Sequence, residues 1–325
     1  MNAWPSWLDG LRTQFNQRIE QDRMPHALLL GGAAGLGKRA LLEWLVARLL
    51  CQLPEGEQAC GTCHGCRLRR AGTHPDLVRV SREVNREGRQ RTEIVVDQVR
   101  ILRAQVTLSS QFGGWRITVL DPADRLNMAA ANALLKTLEE PGGNTLLALV
   151  ADQPWRLPPT LRSRCQAVNF ALPDPQQALA WLQKQGIPDC ATALAAAQGN
   201  PGRALALVGD GALARRDQVR RDLIALLCHE ADVLETVGQW KQDEPQERLR
   251  FAAEWLAEQT CALAKGETGP LRIKRDIWTW SGLFEQANQA REALRGPLRP
   301  DLVLMDFLSL RVSTMEVRSV RVNRR

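Results

Sequence analysis

The sequence predicts an α/β domain with a parallel sheet around a phosphate loop, then a small helical domain and an all-helical C-terminal domain. Three observations carry that prediction. Gly32-Ala-Ala-Gly-Leu-Gly37-Lys38-Arg39 follows a short apolar run and precedes a helical stripe, which is the order strand, glycine loop, helix. Short β-like runs alternate with helical patterns through the first half of the chain. Beyond Arg164 only one more strand candidate appears before the pattern turns helical. With 325 residues, the chain is also too long for one small core.

In chain order, Ala27–Leu30 reads as a buried strand running into the glycine loop. Arg39–Leu50 has helical periodicity, with Leu41, Leu42, Leu45, Val46 and Leu49 on one stripe. Leu77–Val80 is a second strand, and Arg82–Arg91 is a charged loop containing Gly88. Asp97 stands near the start of a helix running to about Leu108, as a cap or dipole partner. Trp115–Leu120 is a third strand, ending at Asp121. Met128–Glu140 is rich in strong helix formers and is stopped by Pro141-Gly142-Gly143. Thr145–Val150 and Gln166–Phe170 complete the strands.

Pro173 and Pro175 mark a boundary. Two or three short helices follow to Leu207, broken at Gly186–Pro188 and Gly199–Pro201. From about Asp210 to Val312 longer amphipathic helices are separated near Gly266–Pro270 and Gly296–Pro300, and the tail beyond reads as poorly ordered or a weak strand. The domains are therefore 1–170, 171–209 and 210–325.

The loop fits G-x-x-x-x-G-K-[ST] at every fixed position but the last. Gly32, Gly35, Gly37 and Lys38 belong to a phosphate cradle, but Arg39 replaces the hydroxyl that ligates Mg²⁺. An arginine carries donors and no acceptor, so it cannot ligate a cation, although it could contact phosphate. Asp121, ending an apolar strand, is either a Mg²⁺-supporting carboxylate or a strand-end turn residue. Pro122, with no acid–base group, follows it. Hydrolysis by this chain is not expected, while ATP and Mg²⁺ binding is left open.

Cys51, Cys60, Cys63 and Cys66 form C-x₈-C-x₂-C-x₂-C, an insertion after the loop helix. Four thiolates this close suit a closed tetrahedral site for structural Zn²⁺. His64 is given no ligand role. Cys165, Cys190, Cys228 and Cys261 sit in apolar contexts and read as ordinary core residues. Arg164, in Leu161-Arg-Ser-Arg-Cys165, is either a solvated surface arginine or one that reaches a neighbouring subunit.

No apolar run is long enough to span a bilayer, and the N-terminus lacks the pattern of a signal peptide, so a cytoplasmic protein is expected. Lys and Arg number 43 against 36 Asp and Glu, a net charge of +7 that permits a nucleic-acid partner without requiring one. The excess leans toward Arg311, Arg318, Arg321, Arg324 and Arg325.

With these segments in view, the chain resembles the AAA+ clamp-loader subunits of bacterial DNA polymerase III. The words that carry the resemblance are His26–Leu30, the four-cysteine insertion, Gly72-Thr-His-Pro-Asp76, Ala131-Asn-Ala-Leu-Leu-Lys-Thr-Leu-Glu-Glu-Pro141, Leu161–Cys165 and Gly199-Asn-Pro-Gly-Arg203. The resemblance is close over roughly residues 1–210 and general beyond. It implies an AAA+ domain, a helical lid and a helical collar that joins five subunits. Gamma/tau and delta subunits, the sliding clamp and primer-template DNA would be the partners, with no membrane involved.

By the same resemblance, Arg164 would be an arginine finger acting in trans, and Arg203 would match the lid arginine that senses nucleotide. Val150-Ala151-Asp152 stands where a sensor threonine is expected. The implied function is a non-hydrolysing subunit of the loader, part of a DNA-directed DNA polymerase (a nucleotidyltransferase as holoenzyme). The competing readings are an active gamma/tau-like ATPase and a zinc-dependent DNA-binding protein on the same fold. A small-molecule P-loop kinase is more remote.

Overall fold

The computed structural model describes residues 3–84, 88, 91–106, 110–209, 211–266, 276–294, 296 and 298–309. The chain divides into two compact units, Met1–Leu207 and Val208–Arg325. Among the described residues, no helix is long and apolar enough to cross a membrane. The sequence expectations for the tail after Val312, for Leu108 and for parts of the Gly266–Pro270 and Gly296–Pro300 breaks lie outside the described residues.

A short turn of 3₁₀ helix at Ser6–Leu8 leads into α1 (Asp9–Glu20). There follow β1 (Ala27–Gly31), α2 (Lys38–Leu49), α3 (His64–Arg70), β2 (Leu77–Val80), α4 (Val96–Val106) and β3 (Arg116–Leu120). Next come α5 (Met128–Glu139), β4 (Thr145–Ala151), α6 (Pro159–Arg162) and β5 (Gln166–Asn169). The strands form one sheet in the order β2-β3-β4-β1-β5, every pairing parallel. Leu30 of β1 stands beside Val150 on one side and Val168 on the other.

Every residue of β1, β3 and β4 is buried. Helices cover both sheet faces, so these strands read as unbroken apolar runs and not as alternation. On one face Leu28, Leu30, Val119 and Leu146 meet Leu41, Leu45 and Val46 of α2 and Phe15 of α1. On the other, Leu29, Leu147 and Leu149 meet Leu134 and Leu138 of α5 and Val99 and Leu102 of α4. The topology gathers the C-terminal ends of β1, β3 and β4, the place where doubly wound sheets hold ligands.

α1 gave no clear apolar pattern in the sequence because its twelve residues are mostly polar, with Phe15 supplying the main anchor. Asp97 lies in the first turn of α4, a dipole partner whose carboxylate also accepts from Arg100 at 3.1 Å. Asn127 caps α5 by accepting from the Ala130 amide at 2.9 Å.

Three helices follow the sheet: α7 (Pro175–Lys184), α8 (Cys190–Ala196) and α9 (Pro201–Gly209). Asp174 and Asp189 cap α7 and α8.

The second unit contains α10 (Ala212–Leu227), α11 (Val233–Gln242), α12 (Pro245–Ala264), α13 (Ile277–Ala293) and α14 (Pro300–Leu308). Its core holds Trp240, Phe251, Trp255, Trp280 and Phe307, with Trp255 edge-on to Trp280 at 5.7 Å. Two breaks went unread in the sequence. One is capped by Asp232, and the other is set by Pro245 in the first turn of α12.

Cys261 corrects the reading of the outer cysteines as core residues. Its helix buries residues as far as Leu256, and the last two turns run past the core, leaving Cys261 exposed. Cys190 is buried, while Cys165 and Cys228 are half-buried.

Candidate functional site

The glycine loop links β1 to α2, and α2 opens on Gly37 in the left-handed region at φ 93°. A Cβ there would stand 2.9 Å from Leu8 Cδ1 as well as carrying strain. Lys38 is turned inward, its side chain 1% exposed. Its ammonium donates to the carbonyls of Gly32 at 2.5 Å and Ala33 at 2.6 Å. It also pairs with Asp152 Oδ1 at 2.8 Å. Asp152 directly follows β4, which carries it to the loop.

Arg39 grips Asp121 with two donors, Nε to Oδ2 at 2.6 Å and Nη2 to Oδ1 at 2.7 Å. A second carboxylate, Asp152 Oδ2, lies 3.8 Å from Nη2. The bond to Asp121 holds the guanidinium proton more tightly than usual. Both oxygens that could support a divalent cation thus serve a cation from the protein. The cleft beside them, about 670 Å³, is lined by Ala33, Arg39, Asp121, Pro122, Asp152 and the exposed Trp155.

Helical residues press on the loop from the other side. Asn200 Nδ2 donates to the Ala34 carbonyl at 2.8 Å, and the Gly202 amide donates to the Gly35 carbonyl at 3.2 Å. The approach requires glycine on both segments. A Cβ on Gly35 would meet Asn200 Oδ1 at 2.6 Å, and one on Gly202 would meet the Gly35 carbonyl oxygen at 2.4 Å. The N-terminal segment closes a third side. Trp7 Nε1 donates to the Leu36 carbonyl at 3.0 Å, and its ring meets Trp181 of α7 edge-on at 5.6 Å. Trp181 Nε1 donates in turn to the Ala3 carbonyl at 2.7 Å. Loop, N-terminus and helices are bonded into one piece.

The four sulfurs of Cys51, Cys60, Cys63 and Cys66 lie within 4.8 Å of one another. Cys51 is 3.5 Å from Cys60 and 3.9 Å from Cys63. A zinc ion with four thiolates at about 2.3 Å has tetrahedral edges of about 3.8 Å, so the set fits a metal such as zinc. Backbone amides of Cys60, Cys63 and Cys66 donate to the sulfurs of Cys51, Cys60 and Cys63 at 3.3–3.4 Å. The amide of Cys63, chief among the donors to Cys60, brings that thiol down to about 6. Burial pushes Cys66 up to about 12.

Asp76 ties this module to the sheet. Burial alone would raise its pKa, but bonds from the Gln111 amide, the Ser110 hydroxyl, the Phe112 amide and Arg116 hold it below the usual carboxylate range. Those bonds fix Phe112 between His64 of α3 at 5.6 Å and His74 at 5.3 Å.

Arg164 stands apart from the loop. Its Nε and Nη2 donate to Glu139 Oε1 at 3.0 and 2.6 Å, and Nη1 donates to the Thr160 carbonyl at 2.8 Å. The structure therefore brings Arg39 and Asp121 together beside one cleft, while Lys38 lies buried against the loop that carries Gly32, Gly35 and Gly37. It sets Arg203 against Gly35 through its backbone amide, 2.9 Å from where a Gly35 Cβ would stand. Sequence reasoning missed Asp152 as a participant, having seen only a lost threonine. It also missed Asn200, Trp7 and Trp181, whose partners lie far away in sequence. A carboxylate ending an apolar strand beside the loop was the available signal for Asp152.

The site is thus a parallel α/β domain with a phosphate loop whose lysine is held by loop carbonyls and Asp152, and whose strand-end carboxylate Asp121 is held by Arg39. Residues 8–174 match the family described as "DNA polymerase III, delta subunit". The chain is 40% identical over 264 residues to DNA polymerase III subunit delta' of Pseudomonas aeruginosa, covering 80% of this chain and 76% of that one. It is 39% identical over 216 residues to the subunit delta' of Escherichia coli, covering 64% and 63%. A DNA polymerase III gamma subunit-related protein of Thermotoga maritima aligns over 92% of this chain and 97% of its own at 17% identity, with a TM-score of 0.48. The chain belongs to the delta' family of DNA polymerase III subunits.

Proposed function

We propose that this chain is the non-hydrolysing delta' subunit of a DNA polymerase III clamp loader, assisting ATPase subunits that place a sliding clamp on primed DNA. The observation that carries this is the state of the loop lysine, buried against its own carbonyls and Asp152. A phosphate could engage Lys38 only by displacing those partners, and Mg²⁺ could reach Asp121 only by displacing Arg39. An active gamma/tau-like ATPase is disfavoured on the same ground.

The residues suit division into an AAA+ domain at 1–170, a lid at 171–209 and a collar at 210–325. The collar would join gamma/tau and delta subunits into a pentamer, and contact with primer-template DNA would be made through that complex. Cys51, Cys60, Cys63 and Cys66 would hold structural Zn²⁺, which fixes the loop between α2 and α3 and supplies no reaction chemistry. Arg164 would present its guanidinium to ATP on the adjacent subunit, stabilising charge on the transferred phosphoryl group.

Arg164→Ala in the reconstituted loader tests the last step. Assembly should be unchanged on a sizing column, and ATP turnover at the site facing this chain should fall by at least about tenfold. Unchanged turnover in an intact complex would remove the finger role.

A further inference from the structure

We propose that Glu139 is the positioning residue of the Arg164 guanidinium, which gives a task to the Leu138-Glu139-Glu140-Pro141 end of α5. The inference rests on the reading of Arg164 as a group that acts on a neighbour's nucleotide.

Glu139 is the last residue of α5. A carboxylate is poorly placed there, because the C-terminal end of a helix carries partial negative charge and favours cations. A residue that breaks a local rule needs a compensating partner, and such breaks gather at functional sites. Here the partner is Arg164, engaged side-on through Nε and Nη2 by Glu139 Oε1.

The Thr160 carbonyl takes a bond from Nη1 and a second from the Ser163 hydroxyl at 3.2 Å. Three of the five guanidinium hydrogens are thereby committed. One remains on each terminal nitrogen, a pair suited to two oxygens of one phosphoryl group. The two clamps fix the plane of a side chain that would otherwise sample many rotamers.

Stability does not account for the pair. Arg164 is 37% exposed and Glu139 49%, and an ion pair this open to water adds little to folding. Its effect is on orientation: a guanidinium misplaced by about 1 Å loses much of its value to a transition state.

The test uses the reconstituted loader with E139A, E139Q, R164A and the double variant, reading phosphate release in a single turnover together with assembly. E139A should slow release at the site facing this chain about tenfold or more, with KM for ATP and assembly unchanged. E139Q keeps an acceptor oxygen and should restore most of the rate. The double variant should be no slower than R164A alone. Normal or faster release in E139A beside a slow R164A would overturn the positioning role and leave the finger intact. An equal further loss on adding E139A to R164A, or failed assembly of E139A, would place Glu139 elsewhere and also overturn it. A normal R164A would remove the finger reading, and this inference with it.

Discussion

Replacing Asp152 with Asn tests whether the loop lysine is neutralised from within. Lys38 and Asp152 lie 2.8 Å apart, and the lysine side chain is 1% exposed. Opposite unit charges at that distance attract by about 6 kcal/mol at an effective dielectric of ~20, a gross figure that desolvation largely offsets. Removing one member of a fully buried pair costs about 3–5 kcal/mol because the other charge is stranded. Asp152 is 32% exposed and Lys38 keeps two carbonyl acceptors, so about 2 kcal/mol is the reasonable expectation. For a unit the size of Met1–Leu207 that lowers the melting midpoint by about 4–8 °C.

Urea and thermal unfolding of the full chain would measure it, alongside Lys38→Met and the double variant. In the Lys38→Met background the Asp152→Asn change should cost less than about 0.5 kcal/mol, since no stranded charge remains. An equal cost with and without the lysine would refute the reasoning. The same free energy bears on ligand: a phosphate that must break a pair worth about 2 kcal/mol binds roughly thirtyfold more weakly than on a free lysine.

Gly202→Ala should force α9 off the loop, because its new Cβ would sit 2.4 Å from the Gly35 carbonyl oxygen and 2.5 Å from Gly35 Cα. A loss of about 1–3 kcal/mol and faster amide exchange through the loop are expected, while Gly209→Ala on the same helix, with open space around it, should be nearly neutral. The gently purified chain should carry close to one equivalent of zinc, and under about half an equivalent would count against the Cys₄ site. Chelation should then speed exchange in α3 and around Phe112 while leaving β1 and β4 protected.

Much of the sheet was legible because β1, β3 and β4 are buried on both faces and so appear as unbroken apolar runs. The stripe of Leu41, Leu42, Leu45, Val46 and Leu49 is buried throughout, as helical spacing requires. The cysteine cluster was legible because its thiols are local, three of them recurring at every third position.

Other features depend on contacts that spacing cannot encode. Arg39 meets Asp121 across 82 positions, and Asn200 meets Ala34 across 166. From sequence, Asp152 registered only as a missing hydroxyl, whereas in space it supplies the charge that balances Lys38. The polar α1 and the overhang that exposes Cys261 were hidden for the opposite reason: local composition there says little about where the core ends.

The contact of Gly35 with Gly202 is backbone against backbone, so no side chain can swing aside to relieve it. A hydroxyl restored at position 39 would leave Lys38 paired and the helix in place, and an unpaired Lys38 would still face Arg39 on Asp121. On the proposed reading of this loop, freeing both Lys38 and Asp121 would take at least two changes, one at Asp152 and one at Arg39.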